Sequence, residues 1–170
     1  VNPLEAVLHS AVNPALKLLP AKMDSDDSRV MILTAGLQES KFEWRYQRTK
    51  NPYVKGPARG FWQNERGGVF CVMTNRATRA HAEVVCKARG VPFDQVLIHE
   101  RLEHDDVLAA AFARLLLWAD PKPLPPVDAD HETAWECYLR CWRPGKPHRE
   151  TWDAYHAQAR AQVLTQKESP

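Results

Sequence analysis

Apolar positions along most of this chain recur at spacings of three and four, the pattern of helices that bury one face. Between residues 3 and 19, Leu4, Val7, Leu8, Ala11, Val12, Ala15, Leu16 and Leu19 form a broad stripe, with Pro3 suited to a first turn. Pro14 lies inside that stripe and predicts a kink, because proline has no amide to bond back one turn. The polar run 24–28 supplies an N-cap and first-turn acids for a second helix ending near Ser40. Periodicity fails from 42 to 63, where Asn51, Pro52, Gly56, Pro57 and Gly60 predict a loop with a short hairpin. Helical spacing resumes after Gly67-Gly68. It predicts a helix over 75–89 stopped by Gly90 and Pro92, a short one near 93–102, and another over 105–119. The last is apolar nearly all round, which marks it as the buried central helix. A proline-rich connector, 121–130, then leads to two amphipathic helices at about 131–142 and 149–164. About forty residues cannot sustain a core of their own. These helices are therefore expected to pack back on the rest. The expected fold is mainly α, a single domain over 1–170 with a short irregular or β region near 43–62.

Composition narrows the picture. A chain of 170 residues with 44% apolar and 26% charged side chains suits one compact domain. Six tryptophans, and 13 prolines against 7 glycines, argue against disorder. Lysine and arginine number 23 against 21 acids, so a net charge of +2 dictates no strongly charged surface. No run reaches the roughly 20 apolar residues of a membrane span. The opening Val1-Asn2-Pro3-Leu4-Glu5 has no basic segment followed by an apolar one, so no secretory signal is expected.

Four cysteines, Cys71, Cys86, Cys137 and Cys141, include no Cys-x-x-Cys pair. Cys137 and Cys141 share a helix face but are poorly oriented for a disulfide. A zinc site would need His131 or His148. The expectation is buried, reduced thiols and no metal. Cys71 has no base near it in sequence and is not a candidate nucleophile. His99 and His104, five apart, lie about 140° from each other on a helix and cannot chelate one ion; solvated or capping side chains are expected. Trp118, Trp135, Trp142 and Trp152 are expected in the core.

The residue that carries chemistry is Glu39. On a helical wheel Ile32, Ala35, Gly36 and Phe42 all fall within about 60° of it. A carboxylate thus sits on an apolar face at the C-terminal end of its helix. Burial and the negative end of the helix dipole both disfavour its charge and raise its pKa. A general acid working near neutrality needs that shift.

Glu39-Ser40-x-Phe42, closing a helix and followed by Ala58-x-Gly60-Phe61-Trp62-Gln63, resembles the goose-type lysozyme and soluble lytic transglycosylase family. There the pattern reads Glu-Ser-x-Phe and then Gly-Ala-x-Gly-Leu-Met-Gln. The match is tight over 30–63 and rests on helix content elsewhere. Pro57 stands where the family has glycine, and Phe61-Trp62 replaces Leu-Met. The resemblance implies a lysozyme-like domain with Glu39 as catalytic acid and base. It also implies a cleft wall built from Gly60, Phe61, Trp62 and Gln63, with Ser40 and Arg59 of the same motifs beside the substrate. A later tyrosine of the family hydrogen-bonds near the acid. Tyr138 and Tyr155 both qualify, and the Pro144-Gly145 turn near Tyr138 favours the former.

The implied activity is cleavage of the β-1,4 link between N-acetylmuramic acid and N-acetylglucosamine in peptidoglycan, by a lytic transglycosylase that needs one carboxylate and no cofactor. A hydrolase needs a second carboxylate, for which Glu43 and Glu65 are the candidates. The basic stretch 41–66 holds Lys41, Arg45, Arg48, Lys50, Lys55, Arg59 and Arg66, and suits an anionic glycan. With Trp44, Tyr46, Tyr53 and Trp62 it could also stack single-stranded nucleic acid, which the acid-rich remainder disfavours. The competing reading is a catalytically silent lysozyme-like module of a phage particle. The family and the missing signal together imply a phage or prophage protein. It would be a monomer made in the bacterial cytoplasm, with no membrane or nucleic-acid partner, reaching the wall through a holin or in a virion.

Overall fold

A computed structural model describes residues 2–166, and they form a mainly α structure with one two-stranded sheet. Helix α1 (Pro3–Val7) starts at Asn2, whose side chain accepts the Leu4 amide at 3.1 Å. The chain widens into a π-helical turn, Leu8–Val12, and returns to α geometry in α2 (Asn13–Lys17). The π turn lies just ahead of Pro14. A wider turn absorbs a residue with no amide to give, so the helical path continues through Pro14. Leu8, Ala11, Val12, Ala15 and Leu16 stay buried along it.

Helix α3 (Asp26–Ser40) opens on reciprocal bonds between Ser25 and Ser28, at 3.1 and 3.2 Å, which satisfy two of its orphaned amides. Residues 30–37 are all buried, so α3 crosses the core before Glu39 is reached. Strands β1 (Tyr46–Arg48) and β2 (Lys55–Arg59) pair antiparallel, Tyr46 opposite Arg59 and Arg48 opposite Lys55. This hairpin is the β region expected near 43–62.

After the hairpin come α4 (Arg66–Thr74), α5 (Arg79–Ala88) and α6 (Gln95–Arg101). The helix expected over 75–89 starts only at Arg79, and α4 was not anticipated. Gly67-Gly68 reads as a break, since each glycine costs a helix about 1 kcal/mol. Burial of Val69 and Val72 outweighs that, at roughly 1.5–3 kcal/mol per side chain. Between the two helices Thr78 Oγ1 donates to the Val72 carbonyl at 2.6 Å and closes the turn.

Two further expectations need correction. Cys71 is exposed, because it falls on the face of α4 opposite Val69 and Val72; Cys86 and Cys137 are buried and Cys141 half-buried. His99 is buried on the inner face of α6, with its ring Nε2 3.1 Å from the Asn64 carbonyl oxygen. Desolvation and then the charge of Arg59 hold its pKa below the usual histidine range. His104 remains exposed.

Helix α7 (Asp106–Ala119), capped by Asp105, is buried throughout 108–117 and touches α2, α3, α4, α5 and α8. It is the central helix. After the connector, α8 (His131–Trp142) and α9 (Arg149–Thr165) fold back, α9 against α3 and α8 against α7 and α9. Trp152 and Trp135 are core side chains, while Trp118 and Trp142 are half-buried at its edge. Among the described residues no helix is long and apolar enough to cross a membrane.

Candidate active site

The end of α3 is shaped by backbone bonds that its last residues make. Lys41 and Phe42 adopt φ of 55° and 58°, a left-handed turn that costs non-glycine residues energy and needs support. Ser40 provides it. Its Oγ accepts the Phe42 amide at 3.1 Å and donates to the Phe61 carbonyl at 2.7 Å, tying the helix end to the segment after β2. The turn sends Phe42 back over Gly36, where any Cβ would overlap its ring. Phe42 there meets Phe61 and Trp62 edge-on, at 5.5 and 5.7 Å between centroids.

Glu39 lines a cavity of about 770 Å³. Tyr138 of α8 donates its hydroxyl to Glu39 Oε1 at 2.6 Å. Tyr155 is packed against the core on α9 and does not border the cavity. The phenol is itself held by aromatic neighbours, Trp152, Trp135 and Trp142, at 4.9, 5.2 and 5.9 Å. Burial lifts the Glu39 carboxyl to about 7. The Tyr138 bond pulls against that rise, and the Glu65 charge adds to it. Tyr138 is pushed well above the usual phenol range by burial and by the adjacent carboxylate, so it remains a donor.

The segment after β2 serves mainly as support. Gly60, with φ of 75°, sits where a Cβ would come within 2.9 Å of the Leu102 carbonyl oxygen. Trp62 has no exposed surface. Its Nε1 donates to the Ile32 carbonyl at 2.8 Å, and its own carbonyl accepts Trp142 Nε1 at 3.0 Å. Phe61 is also buried. Neither ring can stack on a sugar, which corrects the expectation that they form the cleft surface. Ser40, buried under the same segment, positions it rather than touching a ligand. Arg59 turns to Glu103, 3.3 Å away, beside a different cavity. Gln63 does reach the site: it borders the cavity with φ of 49°, and its side-chain amide donates to Gly60 O at 2.8 Å.

Of the two spare carboxylates, Glu65 borders the cavity and Glu43 does not. The turn from Arg143 to Lys146 also lines the cavity and brings two cations. Gln38, Gln47 and Asn64 also border the cavity, and none was legible from sequence because a lone amide has no motif. Asn64 is buried, and its Nδ2 has no partner within the described structure. No family model, no curated protein and no solved structure matches this chain.

The Tyr138–Glu39 bond can be tested directly. A hydrogen bond to a charged group is worth about 1.5–3 kcal/mol, and one pKa unit about 1.4 kcal/mol. Tyr138→Phe is expected to raise the Glu39 pKa by about one unit. Carbon-detected NMR titration of the labelled carboxyl measures this, and an unchanged midpoint would show that the phenol does not act on the acid.

Proposed function

We propose that this protein cleaves peptidoglycan glycan strands between N-acetylmuramic acid and N-acetylglucosamine, by the route of a lytic transglycosylase. One observation carries the reading: the Glu39 carboxyl, its pKa raised to about 7, faces a cavity able to hold sugar rings and is gripped by a phenol. The Glu-Ser-x-Phe motif at 39–42 supports the same assignment. In this mechanism Glu39 donates its proton to the glycosidic oxygen as that bond breaks. The resulting carboxylate then takes a proton from a sugar hydroxyl that closes on the anomeric carbon. Tyr138 stabilises the carboxylate between the two steps, and Gln63 and the 143–146 turn hold the strand. The basic, aromatic hairpin draws in the anionic polymer. The place of action is the bacterial cell wall, reached through a holin or within a virion.

A hydrolytic second reading has one specific support. Glu65 borders the same cavity, and its charge is felt at Glu39, as befits a base that activates water. Mass spectrometry of fragments released from purified sacculi separates the two. Anhydro sugar ends are the expected product; reducing ends carrying one added water would move the assignment to hydrolysis. Release of no fragment by the folded protein would overturn both and leave a glycan-binding or structural module.

A further inference from the structure

Where α8 passes the end of α7, three ligand-type groups meet. They are the Asp120 carboxylate and the thiols of Cys137 and Cys141, with one donor atom from each within 4.8 Å of the others. The two cysteines are four residues apart on α8, the spacing at which two helical side chains can grip one ion. The third ligand comes from the far end of the connector's anchor helix, seventeen positions before Cys137, and no sequence spacing announces it. The two histidines that the sequence offered are engaged elsewhere, His131 with His156 and His148 with Glu150. We propose that Asp120, Cys137 and Cys141 bind a borderline-soft divalent cation of the zinc type, clamping α7 to α8.

The donor chemistry selects the ion. Two thiolates and a carboxylate suit zinc, whereas calcium and magnesium require oxygen throughout. In a tetrahedral zinc site with bonds of about 2.0–2.3 Å, neighbouring donors lie roughly 3.5–3.8 Å apart. Cys141 Sγ stands 4.0 Å from Asp120 Oδ2, so small side-chain rotations close the site. Arg140 donates Nε to Asp120 Oδ2 at 2.9 Å and orients the carboxylate, while Oδ1 accepts the Lys122 amide at 3.3 Å. Such an outer contact is the usual support of a metal ligand. Binding releases the two thiol protons to solvent.

An independent observation points the same way. Arg114, on the inner face of α7, is 2% exposed, and its Nη1 has no hydrogen-bond partner. A buried cation without a counter-charge is costly. The neighbours of Arg114 are the Met23 carbonyl, 2.8 Å from Nε, and the Trp118 ring at 5.1 Å, neither of which carries a charge. A dication held by two thiolates and one carboxylate carries a net charge of −1, which supplies what Arg114 lacks. A cavity of about 690 Å³ is bordered by Asp120 and Cys141, and from it water would complete the shell. Cys137 precedes Tyr138 and Cys141 precedes Trp142, so the ion would stiffen the helix that bears the phenol. The inference does not depend on the glycosidase reading.

The test is cobalt(II) added to the reduced chain of residues 1–170, followed by zinc(II) competition. A thiolate-to-cobalt charge-transfer band that saturates at one equivalent and is bleached by zinc is the expected result. Cys141→Ser should halve the band and weaken zinc binding about 100-fold, Arg140→Gln should weaken it about tenfold, and Cys71→Ser should leave both unchanged. Asp120→Asn, weakening zinc binding to a similar degree as Cys141→Ser, provides a second ligand variant, and circular dichroism verifies the fold of each. No band in the folded parent, or zinc affinity unchanged in both ligand variants, overturns the proposal. So does a band lost in Cys71→Ser.

Discussion

Glu39→Gln is expected to lower the rate of glycan cleavage by about 10³-fold or more while preserving the fold, because general acid and general base assistance are each worth about 10²–10⁴. Glutamine has the same shape and still accepts the Tyr138 hydroxyl, but has no proton to deliver. In the parent, kcat/KM should fall as pH rises through about 7, where the acid ionises. The same carboxyl bears on stability. Its folded pKa lies above the unfolded value of 4.5, so the native state holds the proton more tightly. Its contribution is fully present below 4.5 and is lost as pH rises to about 7. Glu39→Gln does not titrate, so above neutrality it should be the more stable protein, by about 2 kcal/mol once partial exposure is allowed for. Sacculus clearance and urea unfolding on either side of that window measure both effects. Equal clearance by the two proteins would remove Glu39 from the chemistry.

Trp62→Ala is expected to destabilise the protein by about 3–5 kcal/mol, the cost of emptying a buried tryptophan site. Total stability for a domain is only about 5–15 kcal/mol. The indole is fully enclosed, donates to α3 at Ile32, and packs under Phe42. Removing it loosens the turn that follows Glu39, so activity should fall together with stability. Trp62→Phe should retain most of both. Were Trp62 instead a sugar platform, alanine would raise KM and leave the unfolding midpoint nearly where it was. Urea titrations and saturation kinetics on the three proteins distinguish these outcomes.

The motif around Glu39 was readable because acid, apolar face and helix end all lie within a few residues. The cleft was less so. Gly60-Phe61-Trp62-Gln63 is one short run of chain, yet only Gln63 faces the cavity. The left-handed turn at Gln63 and the bond from Trp62 to Ile32 decide which side chains go in, and neither leaves a mark in the residue pattern. His99 shows the same limit. A wheel correctly separates it from His104, but cannot say that the loop after Trp62 covers one of them.

Periodicity, prolines and capping residues act over a few positions, so the chain alone announced the mainly α class, the buried helix over 105–119 and the upward direction of the Glu39 pKa shift. It misjudged α4, where distant neighbours bury Val69 and Val72 and override two glycines. Pairing across the chain was settled by packing. Tyr138 meets Glu39 across 99 residues, and Asp120 meets Cys137 and Cys141 from another helix. Helical spacing says which way a side chain leaves its own axis. What it meets there depends on how helices from remote parts of the chain bury their apolar faces together.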